Sequence, residues 1–265
     1  MSSIVNGREL AQEIKAQLKI QVGSLQAVKL AVVCVGGNEV TMKYIERKIA
    51  FGKDIGVEVV CFDLLPDTPE EEVIDLIERL NNDESVSAIV VQLPLPANIN
   101  SDNVLAAIGS EKDVDALGKE PVVDSPVVLA VKTIFSAYDV EPSNKIAVVI
   151  GKGRLVGKPV AVFLAQAGAE VTQFDLDNKV GLPEALGKAD IVVLGAGVAG
   201  LIKPEMLKQG VVLIDAATSE LGGKIVGDAD PACVDICSVF TPVPGGVGPL
   251  TVACLFKNLI SLATK

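Results

Sequence analysis

Ile146-Ala-Val-Val-Ile150-Gly-Lys-Gly-Arg-Leu-Val-Gly157-Lys-Pro159 is the stretch on which the fold turns. Its apolar opening, mostly β-branched, is too short for a helix and reads as a buried parallel strand. Gly151 to Gly157 then reads as a glycine-rich turn, 158–166 as a helix, and Glu170–Phe174 as a second strand ending on Asp175. Strand, turn, helix, strand and closing acid make a βαβ unit of dinucleotide-binding type, whose pyrophosphate rests on amides at the start of the helix. The spacing is GxGxxxG rather than GxGxxG, so the assignment rests on the whole unit and not on the glycines. Gly195-Ala-Gly197-Val-Ala-Gly200 fits the GxGxxG pattern better, but Lys203-Pro204 bars a long helix and no acid ends a partner strand at the right distance. It reads as a decoy whose backbone lines the cofactor from the next strand.

Working outward, 211–214 ending on Asp215 and 238–240 supply further strands of this second sheet. Upstream, strands over Lys29–Val35, 58–63 and 86–91 alternate with helices over 4–27, 40–55 and 69–81, the last entered through a Thr68 cap and Pro69 at its first position. A short helix near 103–108 and a linking helix over 126–138 follow. Alternation of this kind predicts open parallel sheets whose ligands sit beyond the carboxyl ends of the strands. Gly36, the start of the 40–55 helix and Gln92 therefore belong on one edge.

Composition removes many functions. The 265 residues and 49% hydrophobic content suffice for one large or two medium domains. A formal charge of -11 without a long basic run argues against nucleic acid. No apolar run is long enough to span a membrane, and residues 1–7 lack the order of an export signal, so the expected address is the cytoplasm. Five cysteines, four in apolar contexts, read as buried thiols; Cys233 and Cys237 lack a second ligand cluster, and no metal is expected. Histidine is absent, which leaves acid/base chemistry near neutrality to Lys, Asp, Glu, Tyr or Cys.

Within the 40–55 helix, Met42, Ile45, Ile49 and Gly52 form the expected core stripe, with Tyr44 and Lys48 on its flank. Lys48 reads either as a snorkelling surface lysine or as a catalytic amine beside Gln92, an uncharged amide where an apolar strand stops. To act as a base near neutrality it must titrate well below the ~10.4 of a free lysine, which burial beside apolar walls supplies. Asp115 reads as a loop cap or as an anchor for a polar heterocycle. Thr241-Pro-Val-Pro-Gly-Gly-Val-Gly-Pro-Leu-Thr251 carries no charge and reads as a rigid wall against a flat ligand or as a tight interdomain turn; a helix over 252–263 follows.

Tyr44-Ile-Glu-Arg-Lys48, Val90-Val-Gln92-Leu-Pro-Leu-Pro96, Lys112-Asp-Val-Asp115, Val149 to Pro159, Gly227-Asp-Ala-Asp230 and 241–251 together resemble the methylenetetrahydrofolate dehydrogenase/cyclohydrolase family. The resemblance implies a two-domain α/β fold: a three-layer α/β catalytic domain over 1–124, completed by a C-terminal helix 249–265, and a Rossmann-type parallel-sheet nucleotide-binding domain over 125–248, with the active-site cleft between them. It implies oxidation of 5,10-methylenetetrahydrofolate with NAD or NADP and hydrolysis of the methenyl product to 10-formyltetrahydrofolate, in a homodimer. By the same resemblance Lys48 is the catalytic lysine, Gln92 its tuning partner, Tyr44 the ring stacked on folate and Asp115 the pterin anchor. Leu93, Pro94, Pro244, Gly245, Gly246 and Val247 would line the substrate. Gly151, Lys152, Gly153, Arg154, Val156, Gly157, Asp175, Gly195, Ala196 and Gly197 would line the cofactor.

The chain departs from the family in three places. After Asp115 the family continues Gly-Phe-His in a longer segment, whereas here Ala116-Leu-Gly-Lys-Glu-Pro121 runs on to Ser125-Pro126. Lys152-Gly153 replaces the common Arg-Ser, and Asp175 stands where many members carry a neutral residue or histidine. An acid there pairs with a ribose diol and repels a 2′-phosphate, which points to NAD, while Lys152 and Arg154 leave NADP open. The competing readings are a dehydrogenase for a related pterin carrier and a dinucleotide-binding protein without turnover.

Overall fold

Lys29–Val35 is apolar on both faces, and it becomes the centre of a three-stranded parallel sheet between Glu58–Leu64 and Ala88–Val91. The structure, a computed structural model, describes residues 2–177 and 180–264, the side chain of Val40 apart. The chain divides into two compact units, Gln12–Pro126 with Val252–Lys265 and Met1–Ala11 with Val127–Thr251.

In the first of these, successive residues of the central strand face opposite ways. Leu30, Val32 and Cys34 join a core with Ile45, Ile55, Phe256 and Leu259, while Ala31, Val33 and Val35 pack with Val73, Ile77, Leu80 and Leu105. The sheet is thus the middle of three layers. The helix Glu39–Ile55 starts at Asn38, whose side chain accepts the Thr41 amide, and stops at left-handed Gly56. Its buried positions are Thr41, Ile45, Lys48, Gly52 and Ile55, at alternating spacings of four and three. This corrects the expected stripe, since Met42 and Ile49 are 39% and 41% exposed and Lys48 is 9% exposed. Gly52 is required there, because a Cβ would lie 2.6 Å from a Val59 methyl and 3.0 Å from the Val57 carbonyl.

The other unit is a six-stranded parallel sheet ordered Ser3–Ile4, Val239–Phe240, Val212–Asp215, Ile191–Leu194, Ile146–Ile150, Glu170–Phe174. Residues 1–11 belong here rather than with the 1–124 domain of the sequence reading, because Ser3–Ile4 pairs with Val239–Phe240. The first helix is accordingly Gly7–Val22, shorter than expected. Its opening glycine has no room for a side chain: a Cβ would lie 1.8 Å from the Gly246 carbonyl oxygen. The last helix, Val247–Ala263, begins earlier than expected, with Pro249 in the first turn, where amides have no intrahelical partner to lose.

Two further differences are local. Pro69 holds the extended residue before the helix Glu70–Asn82, so Thr68 makes no side-chain cap. Ser219–Leu221 and Lys224–Val226 form an antiparallel hairpin that the sequence reading does not anticipate. Its turn is Gly222-Gly223, both at positive φ. Cys233 and Cys237 are buried free thiols, pushed up to about 11 and about 12 by burial. Among the described residues no helix is long and apolar enough to cross a membrane.

Candidate functional site

In the unit built on Lys29–Val35, Lys48 sits mid-helix on the buried face, and its Nζ donates to Gln92 Oε1 at 2.8 Å. Gln92 is placed by the sheet: its backbone amide donates to the Val33 carbonyl at 2.8 Å, just past the end of Ala88–Val91. Its own Nε2 donates to the Leu93 carbonyl at 3.0 Å, which turns Oε1 toward the amine. Leu93-Pro94 is a cis peptide. Burial pushes the Lys48 ammonium below the usual lysine range, and Asp115 is the foremost of the charges that hold it up. Burial pushes the half-buried Asp115 carboxyl up, while Lys48 lowers it and Asp113 raises it. Tyr44, one turn before Lys48, is half-buried with the Arg47 guanidinium 5.3 Å from its ring centre.

Asp113 went unassigned in the sequence. Fully buried, it accepts the Gly118 amide at 2.7 Å and shapes the turn that carries Asp115. That turn places Ala116 at φ 56°. Asp113 also pairs in register with Ile89, so the acidic loop is stitched to the strand that presents Gln92. The structure therefore brings Lys48, Gln92 and Asp115 into one electrostatic group, with Tyr44 on the same helix.

In the other unit, Ile150 pairs with Phe174, and the Gly151 amide donates to the Phe174 carbonyl at 2.9 Å. Asp175 thus follows the strand end beside the glycine turn, and its Oδ1 accepts the Leu176 amide at 2.7 Å. Gly151 is at φ 107°. A Cβ on Gly157 would lie 2.0 Å from the Gly151 carbonyl oxygen, so the start of the helix Gly157–Gln166 lies tight on the turn. Lys152, Gly153 and Arg154 are exposed around it. Close backbone packing, a helix start and an acid on the neighbouring strand suit a dinucleotide.

The Gly195 loop, which the sequence reads as a decoy for the phosphate-binding turn, aims three of its amides at a buried carboxylate. Its amides at Ala196, Gly197 and Val198 donate to the Asp228 carboxylate, so these three are already engaged within the chain. Asp215, 2% exposed, accepts the amides of Ala217 and Ala229 at 3.1 and 2.8 Å, and burial pushes it up to about 7. Thr241 Oγ1 accepts the Asp215 amide at 2.6 Å, tying the proline- and glycine-rich stretch to the same place. Within that stretch Val243-Pro244 is cis, the Gly246 amide donates to the Pro242 carbonyl at 2.8 Å, and Gly245 is at φ 112°. Pro244 is exposed while Gly246 and Val247 are buried. The sequence signal for Asp228 is its place in Gly227-Asp-Ala-Asp230, one of the stretches that carry the family resemblance.

Comparison with known proteins places both units. Residues 5–115 match the tetrahydrofolate dehydrogenase/cyclohydrolase catalytic domain, and residues 125–265 match the NAD(P)-binding domain of the same family. The bifunctional protein FolD of Lactobacillus delbrueckii subsp. bulgaricus is 35% identical over 279 residues, covering 100% of this chain and 98% of the relative. The crystal structure of the bifunctional FolD methylenetetrahydrofolate dehydrogenase/cyclohydrolase of Campylobacter jejuni is 33% identical with a TM-score of 0.95, covering 100% of this chain and 99% of that one. The Trypanosoma brucei FolD, solved with NADP cofactor and an inhibitor, is 29% identical with a TM-score of 0.92, covering 99% and 97%.

Proposed function

This chain belongs to the tetrahydrofolate dehydrogenase/cyclohydrolase family, and from that premise we infer that it oxidises 5,10-methylenetetrahydrofolate and hydrolyses the methenyl product to 10-formyltetrahydrofolate. The observation that carries the mechanism is the buried Lys48 amine held on Gln92 Oε1 at 2.8 Å. Burial favours the neutral amine, and a neutral amine can take a proton from water as its oxygen bonds to the methenyl carbon. The same group returns that proton to N5 as the C–N5 bond breaks, while the carbinol oxygen gives its remaining proton to solvent and becomes the carbonyl of the formyl group on N10. Gln92 accepts from the amine and fixes its direction. Asp115 supplies a carboxylate for the pterin edge and a negative charge that keeps the lysine from staying neutral throughout. Tyr44, on the same helix, offers a ring face to the folate.

The dinucleotide, when bound, accepts the hydride released in the oxidation. The chain's part is to hold it: the Gly151–Gly157 turn admits the pyrophosphate, and Asp175 meets the adenosine ribose. An acid at that position favours a free diol over a 2′-phosphate, so the reading is NAD in preference to NADP.

Purified protein given methylenetetrahydrofolate and either nucleotide is expected to yield reduced cofactor; no reduction with either would sink the assignment. Titration of NAD against NADP should show wild type preferring NAD and Asp175→Ser moving toward NADP. A wild type that prefers NADP would show that Asp175 does not select the cofactor.

A further inference from the structure

Three consecutive amides turn inward on one buried carboxylate in the nucleotide unit. Asp228, with no exposed surface, accepts Ala196 N at 2.8 Å and Gly197 N at 3.1 Å on Oδ2, and Val198 N at 2.6 Å on Oδ1. Successive N–H groups arranged in this way form a nest, which in other settings holds phosphate. Here the chain supplies the anion itself.

The carboxylate is held in register from behind. The amides of Gly200 and Ile202 donate to the carbonyls of Gly227 and Asp228 at 3.2 and 3.0 Å, and the next amide, Ala229, donates to Asp215 Oδ2 at 2.8 Å. Gly227 admits no other residue, since a Cβ would lie 2.1 Å from Asp215 Oδ2. The front of the loop meets the glycine turn. A Cβ on Gly195 would lie 2.5 Å from Val156 Cγ1, and one on Gly151 would lie 2.5 Å from the Gly195 carbonyl oxygen. Any shift of residues 195–198 is therefore felt at Gly151 and Val156.

We propose that Asp228 is a positioning residue for the dinucleotide: it clamps the 195–198 backbone into the wall beside the glycine turn. By filling the nest, it also keeps the cofactor's phosphates out of this loop and leaves them to the start of the helix Gly157–Gln166. The inference rests on the reading that this unit binds NAD or NADP. Asp228→Asn tests it most directly, because an amide presents an NH2 to one of the three N–H groups and loses the negative charge.

The experiment measures NADH and NADPH binding by their fluorescence, using the 265-residue chain as wild type, Asp228→Asn, Asp228→Glu and Asp228→Ala. Hydrolysis of methenyltetrahydrofolate without nucleotide serves as the control, because Lys48, Gln92 and Asp115 lie in the other unit. The expected result is at least tenfold weaker binding of the preferred nucleotide in the Asn and Glu variants, hydrolysis within twofold of wild type, and partial recovery of binding by Asp228→Ala in formate. Binding within twofold of wild type in any folded variant overturns the clamp alone. Parallel loss of binding and hydrolysis reduces Asp228 to a general structural role and also overturns it. A wild type that binds neither nucleotide overturns the cofactor reading together with the clamp.

Discussion

Lys48 shows how one side chain can serve activity at the expense of the fold. A buried ammonium is disfavoured by desolvation, so the folded chain binds this proton less readily than the unfolded chain. By linkage its unfavourable contribution is present at neutral pH and shrinks as pH rises through the folded value toward the unfolded ~10.4. Lys48→Met should therefore reduce hydrolysis of methenyltetrahydrofolate at least about a hundredfold, while raising the melting temperature at pH 7. A melting temperature that falls would show that the Gln92 hydrogen bond and the Asp115 charge outweigh desolvation. Ala116 offers a second test. At φ 56° it occupies the left-handed region, where a Cβ costs about 1–2 kcal/mol. Ala116→Gly should recover about 1 kcal/mol in chemical denaturation, less glycine's larger entropy in the unfolded chain.

The elements were largely legible because apolar runs and glycines punctuate them strongly, as Lys29–Val35, Ile146–Ile150 and Glu170–Phe174 show. What periodicity could not give was the rotation of the helix Glu39–Ile55. Counting apolar residues puts Met42 and Ile49 inward, but a lysine occupies the inward row because Gln92, 44 positions away in sequence, receives its amine. The Gly195 loop reads as a decoy from sequence, but the acceptor of its amides, Asp228, escaped for a similar reason, being about 30 residues downstream. Local pattern reports which residues are apolar, not which polar ones have partners. At the glycine turn, by contrast, the strand, turn, helix and strand read from the sequence are the ones that form. Gly157→Ala would drive a Cβ to 2.0 Å from the Gly151 carbonyl oxygen, a backbone contact that cannot yield cheaply. NADH and NADPH affinity should fall more than tenfold in that variant with hydrolysis spared; unchanged affinity would place the cofactor elsewhere.

Two buried groups, one in each unit, answer pH in opposite senses. Asp215, pushed up to about 7 by burial, is protonated more readily folded than unfolded. Between about pH 4 and 7 the folded state thus holds the extra proton, and this group's effect on stability worsens as pH rises, by at most about 4 kcal/mol. Lys48 works the other way at higher pH. Denaturation of wild type and Asp215→Asn from pH 5 to 8 should show the variant losing less stability across that range; parallel curves would mean that Asp215 titrates normally. The family was legible at this scale because motifs at 44–48, 90–96, 112–115 and 241–251 keep their order along the chain.

Ser3–Ile4 lies at the edge of the six-stranded sheet, hydrogen-bonded to Val239–Phe240. During synthesis the first of these strands leaves the ribosome more than two hundred residues before the second. Ser3–Ile4 must therefore wait without this partner while the intervening residues are made, and the sheet acquires its edge strand only after Val239–Phe240 has emerged.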